Sequence, residues 1–231
     1  MPLYPEISGS RGRVAVLRLS YFMPKITAIE PQKRNPQRVN IYLDGEFAFG
    51  LTRLVAAWLK VGDELSAERI ASLQEADARE QALQYALRLL TYRPRSQAEV
   101  RQRLERRGWS EKIIEETLER LHQDGLLNDA TFAHSWVENR YTFRPRGRRL
   151  LRQELRQKGL DEQTIQDALS GMDEEEAAYT AARERAQRLK GLEPRLFYRR
   201  LTAYLIRRGF SYETAGTIAR RLWEELQGET S

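Results

Sequence analysis

One glycine returns at a fixed interval, and it restricts this 231-residue chain to a repeat architecture more firmly than any composition does. From Gly108 to Gly159 is 51 residues, and from Gly159 to Gly209 is 50. The same frame surrounds each one. Val100, Leu104, Trp109, Ser110, Ile114, Leu118 and Leu121 of the first copy match Leu151, Leu155, Leu160, Asp161, Ile165, Leu169 and Met172 of the second. The third copy is looser, with Leu201, Leu205, Phe210, Ser211, Ala215, Ala219 and Leu222. Apolar residues one turn apart before the glycine, and at helical spacing after it, spell two helices around a tight corner. Glycine suits the corner because a residue without Cβ takes positive φ at little cost. A period of about 50 residues marks a tandem array.

A leading helix precedes each pair. Ala82, Leu83, Ala86, Leu87 and Leu90 run up to Pro94, and Phe132, Trp136, Val137 and Tyr141 run up to Pro145. DEEEAAYTAARERAQRLKG opens the third copy, its acids suited to a helix N-terminus. Ser66 is read as the cap of a helix holding Ile70 and Leu73, with Asp77 restarting it, and Ser110 as the cap of the first closing helix. Ahead of the helices lies a β segment: residues 26–29, a polar link EPQKRNPQ, and runs 39–43 and 46–49 flanking Asp44-Gly45, a strong hairpin signal. That register sets Tyr42 opposite Phe47. Val39, Ile41, Leu43 and Ala48 share the other face, packed on a helix over 51–59. The fold class is mainly α, an elongated array of three tandem three-helix repeats preceded by a small N-terminal β-hairpin or meander. The expected divisions are a flexible extension at 1–22, the β segment with its helices at 23–75, and repeats at 76–127, 128–172 and 173–231. Residues 227–231 are read as frayed.

Cysteine is absent, which excludes disulfides, thiolate metal sites and a Cys nucleophile, and the reading is a cytoplasmic protein. No apolar run approaches the roughly 20 residues that span a bilayer. His122 and His134 fall on different helices with no carboxylates at metal spacing, and no glycine-rich phosphate loop is present. Glu115-Glu116 and the glutamates at 174–176 read as solvated faces. No catalytic residue, metal or cofactor is expected, and the chain is read as a non-enzyme.

The informative chemistry is the placement of arginine. Thirty-nine Lys and Arg stand against thirty-three Asp and Glu, a net charge of +6. The middle helices collect the cations. Candidate partner-binding residues are Arg93, Arg95, Arg101 and Arg103 in the first copy, Arg144, Arg146, Arg148, Arg149, Arg152 and Arg156 in the second, and Arg199 and Arg200 in the third. Stacked repeats would line these into a basic strip fit for a phosphate backbone or an acidic protein groove. Arginine in preference to lysine favours bidentate contacts. Arg148, Arg149 and Arg152 form the densest cluster and lie off the apolar stripe. Some arginines have a purely structural alternative, pairing with Glu99, Glu105 or Glu154.

At ALRLLTYRPRSQAEVRQRLERRGW, at the I-x3-L-x2-L-x3-G-L-L-N-D-x2-F-A run over 114–133, and at RPRGRRLLRQELRQKGLDEQTIQDAL, the chain resembles the bacterial RecX family of regulatory proteins. The likeness is strong over about residues 80–170 and looser in the β segment and third repeat. It implies a curved array that binds the RecA recombinase filament and inhibits its recombinase, ATPase and co-protease activities, acting as a monomer, with single- or double-stranded DNA as a further partner and no membrane. The chain departs from the pattern at residues 1–22 and in the third repeat, where Ala215 and Ala219 replace large residues. A helix, a glycine turn and a second helix also describe helix-turn-helix regulators of transcription. A recognition helix presents Arg, Asn or Gln near its start. Here those positions carry Glu111, Glu115 and Glu119, then Glu162, Gln163 and Asp167, whose acids would repel phosphate. The filament reading is preferred.

Overall fold

Alternating burial and a two-residue turn build the N-terminal unit. The computed structural model describes residues 23–228, and the extension read at 1–22 lies outside them. Strands β1 (Ile26–Gln32), β2 (Asn35–Leu43) and β3 (Glu46–Thr52) form an antiparallel sheet in the order β1-β2-β3. Asp44 (φ 50°) and Gly45 (φ 89°) make the tight turn. Tyr42 opposes Phe47, their rings edge-on at 6.0 Å. The polar link read after residue 29 is instead the end of β1 and the start of β2. Ala48 also differs from expectation. A bulge between Ile41 and Tyr42 pairs Ile41 with Phe49, so Ala48 becomes the extra residue and is exposed while Phe49 and Leu51 turn inward. Leu51 thus belongs to β3, and α1 is only Arg53–Ala56.

Ile26, Ile41, Phe49 and Leu51 pack against Ala56, Leu65 and Leu73. Leu73 lies on α2 (Ala67–Tyr92), a single helix with no restart at Asp77. Asp77 is instead 4% exposed, pairs with Arg38 at 3.0 Å and accepts the Thr52 N–H at 2.6 Å.

The helical unit repeats a lead, a middle and a closing helix. The lead helices are the second part of α2, α5 (Asp129–Phe143) and α8 (Glu174–Gln187). The middle helices are α3 (Gln97–Glu105), α6 (Arg148–Gln157) and α9 (Pro194–Arg207). The closing helices are α4 (Glu111–Gln123), α7 (Glu162–Ser170) and α10 (Tyr212–Gly228). Gln227 and Gly228, read as frayed, are helical. Gly108, Gly159 and Gly209 hold φ of 84°, 81° and 90° at the corners. Asn128, Asp161 and Asp173 cap their helices through side chains, whereas Ser110 occupies the N-cap position without a side-chain bond. Leu104, Leu151, Leu155, Leu201 and Leu205 are fully buried, each contributing about 1.5–3 kcal/mol of burial. The first repeat keeps its own core around Val100, Leu104, Ile114 and Leu121, while the second and third share one continuous core.

Successive repeats interlock through the corners. The Lys158 carbonyl, one residue before Gly159, accepts from Ser96 Oγ at the start of α3 at 2.6 Å. Likewise the Arg208 carbonyl accepts from the Gly147 N–H at the start of α6 at 2.9 Å. In the same frame the third repeat has Phe197, because Pro194 starts α9 one turn early. Phe197 is fully buried, with its ring centroid 4.9 Å from that of Trp223.

Candidate functional site

The first two middle helices carry arginines one helix away from the glutamates of the closing helix, and a tight corner folds the two together. Arg101 therefore reaches Glu111 and Glu115. One repeat later Arg152 Nε lies 3.1 Å from Glu162 Oε1, and Arg156 donates to the same carboxylate at 2.7 Å. Arg101 and Arg152 are frame equivalents, as are Glu111 and Glu162, so this clamp is part of the repeat; the third copy has Thr202 and Tyr212 there. Arg93 forks onto Glu99 at 3.0 and 3.1 Å. Arg146 meets Glu154, which also accepts from Arg140 and from the indole of Trp136. Arg148 donates to the Met172 carbonyl and lies 3.8 Å from Glu174. Arg149 donates to the Ile206 carbonyl at 2.9 Å and Arg95 to the Leu89 carbonyl at 3.1 Å.

The remaining candidates are different. Arg103, Arg144, Arg199 and Arg200 are exposed, and their side chains make no hydrogen bond or ion pair among the described residues. The dense cluster Arg148, Arg149 and Arg152 is thus held by neighbouring segments, while the free guanidiniums belong to α3, the end of α5 and α9.

A groove of about 500 Å³ lies between the end of α2, the link from α4 to α5 and the start of α5, lined by Leu87, Leu90, Pro94, Arg95, Leu126 and Phe132. Leu126 is 53% exposed there. Burial first, and then the nearby charge of Arg93, weakens the hold of Arg95 on its proton. An apolar floor with a cationic edge suits a partner segment that is both apolar and acidic.

Family models described as the RecX N-terminal domain and the first, second and third three-helix domains of RecX match residues 24–66, 82–121, 128–169 and 173–224. The regulatory protein RecX of Bacillus subtilis is 36% identical over 213 residues, covering 90% of this chain and 81% of its own. That of Thermobifida fusca is 38% identical over 162 residues, covering 69% and 85%. The chain belongs to the RecX family. A crystal structure of a regulatory protein RecX superposes with a TM-score of 0.68 at 31% identity, over 85% of this chain and 98% of the other. The RecX of Lactobacillus salivarius gives 0.60 at 28%, over 64% and 97%.

Two features of this RecX-family chain go beyond the sequence reading, which had Glu99 only as a partner for an arginine. Trp136 has two cations near its ring, Arg140 4.3 Å and Lys158 5.0 Å from the centroid. Its signal was an aromatic on the lead helix one turn from a basic residue, Arg140. The other is Glu99, which bridges repeats by accepting from both Arg93 and Lys158. Burial opposes its charge, but those two hydrogen bonds outweigh burial and hold its pKa at about 2, below the ordinary 4.5. Because the folded value is the lower one, the bridge contributes fully above about pH 4.5 and fades as pH falls toward 2. Glu99→Gln is expected to flatten that acid limb and to cost about 1–2 kcal/mol near neutral pH after solvent screening. Urea unfolding across the acid range measures both. The histidines stay apart in this RecX-family chain: His122 Nδ1 lies 3.2 Å from the Leu127 carbonyl, and His134 lines a cleft near Asp173. Among the described residues no His, Cys, Asp and Glu cluster with metal-binding geometry occurs, and no helix is long and apolar enough to cross a membrane.

Proposed function

We propose that this RecX-family protein binds the RecA recombinase filament and lowers its recombinase, ATPase and co-protease activities, acting in the cytoplasm as a monomer. The observation that carries the reading is the division among the arginines. Most of the candidates are held by carboxylates or carbonyls within the fold, whereas the side chains of Arg103, Arg199 and Arg200 are left exposed on middle helices without a partner among the described residues. Unpaired guanidiniums are available for bidentate capture of carboxylates on another protein. The groove beside Arg95, with exposed Leu126, favours a protein partner over naked DNA, since an apolar floor gains nothing from phosphate.

The test is inhibition of filament ATPase activity on single-stranded DNA at two salt concentrations. The triple variant Arg103→Glu, Arg199→Glu, Arg200→Glu is expected to need about tenfold or more protein for half-inhibition, with unchanged helix content. The control is Arg120→Glu on α4, a cation whose i,i+4 partner Asp124 is the C-cap of the same helix. It should inhibit like the parent. A triple variant as potent as the parent would remove these arginines from the binding surface.

A further inference from the structure

A second basic feature does not depend on the filament reading. A cavity of about 260 Å³ opens between the end of α5, the second half of α8 and the end of α9. It is smaller than the roughly 300–1,000 Å³ of ordinary small-molecule pockets, so its occupant must be compact. Arg144, Arg185, Arg188 and Arg208 line it, against one carboxylate, Glu184. Four cations less one anion leave an excess of three positive charges.

The walls are built rather than accidental. Arg208 donates to the Pro145 carbonyl at 3.1 Å and lies 5.1 Å from the centroid of the Tyr204 ring. The Tyr204 hydroxyl in turn donates to the Ala181 carbonyl at 3.2 Å, tying α9 to α8. Arg144 leaves the helix at φ −149°, ψ 70°, as a residue before proline is driven to do. Neither the Arg144 nor the Arg185 side chain has a hydrogen-bond or ion-pair partner among the described residues. Arg188 and Glu184 are 3.6 Å apart, a one-turn pair with both side chains well exposed, which neutralises little. The crowding is felt nearby: burial first, and then Arg140, Arg208 and Arg144, lower the proton affinity of Arg146. At the cavity's edge Phe143 is 74% exposed, a flat apolar face beside the cations.

The geometry points to a binding site for a compact oligophosphate, two or three linked phosphoryl groups carried free or on a nucleoside. Guanidiniums match phosphate oxygens in pairs, and a small anion of three or four charges offsets the cavity's excess. A nucleoside, where present, has Phe143 to stack on.

Calorimetric titration of the full chain with tripolyphosphate and with ATP, at fixed ionic strength and without divalent cations, tests the site. One equivalent of tripolyphosphate should bind. Arg185→Ala with Arg188→Ala should weaken it about tenfold or more, and Glu184→Gln should strengthen it severalfold. All three positions are exposed, so the fold is not at stake. Phe143→Ala distinguishes the sources: weaker ATP with unchanged tripolyphosphate identifies a nucleoside ligand, and equal affinities identify the inorganic chain. Arg103→Glu, on the middle helix of the first repeat, should bind like the parent here, so loss of filament inhibition and loss of this site are separable. Heats matched by sulfate, or an unchanged Arg185→Ala, Arg188→Ala variant, would overturn the proposal. So would a single-stranded oligonucleotide binding at these arginines where tripolyphosphate does not.

Discussion

Gly147→Ala is expected to destabilise the helical unit by about 3 kcal/mol or more, whereas Gly108→Ala costs only about 1–2. The contrast runs against a simple count of φ angles. Gly147 is the N-cap of α6 at φ −73°, which any residue adopts. A Cβ built on it, however, would fall within the backbone of Gly209 and Phe210. Backbone cannot swing aside as a flexible side chain does, so the second and third repeats would have to part, breaking the Gly147 N–H bond to the Arg208 carbonyl. Gly108 holds φ 84° but has open space where a Cβ would go, so its substitution carries conformational strain alone. Gly159 combines both conditions, with φ 81° and Ala98 Cβ in the way. Urea unfolding midpoints of the three alanine variants should therefore rank Gly108 mildest. A Gly147→Ala protein as stable as the parent would show that the corners do not seat on the preceding repeat.

Asp77→Ala carries the largest expected effect in the N-terminal unit, about 3–5 kcal/mol. The carboxylate is 4% exposed and holds the Arg38 guanidinium, itself 18% exposed, together with the backbone N–H of the buried Thr52. Its loss leaves a charge and a backbone donor without these acceptors away from water, each a substantial cost. Arg38 also donates to the Gly50 carbonyl at 3.0 Å, so the end of β3 should loosen with it. Hydrogen exchange at the Thr52 amide reads this directly. Exchange as slow as in the parent would mean that another group takes over the carboxylate's role.

The reach of the sequence differs from element to element. Helix, corner and closing helix were legible because they rest on interactions a few residues apart, such as Leu151 with Leu155 and a glycine where φ turns positive. Asp44-Gly45 was legible for the same reason, and with it the pairing of Tyr42 and Phe47. The bulge that exposes Ala48 and buries Phe49 was not, since it depends on how β3 meets the rest of the N-terminal core. Asp77 looked like a helix start because Arg38 and Thr52 lie 39 and 25 residues away.

For the candidate site the division is sharper. Sequence alone determined that the middle helices are rich in arginine and the first closing helix in glutamate. It also determined that three such units recur at one spacing. Only the tertiary structure decided which of those arginines are spent. The corner brings Arg101 onto Glu111 and Arg152 onto Glu162, and the next repeat draws in Arg149, leaving Arg103, Arg199 and Arg200 outside any such contact. The physical reason is range. Helix periodicity and a glycine's φ are settled within a turn or two of the chain. Whether a charge is neutralised, or a Cβ has room, depends on groups that meet only once helices from different repeats have packed.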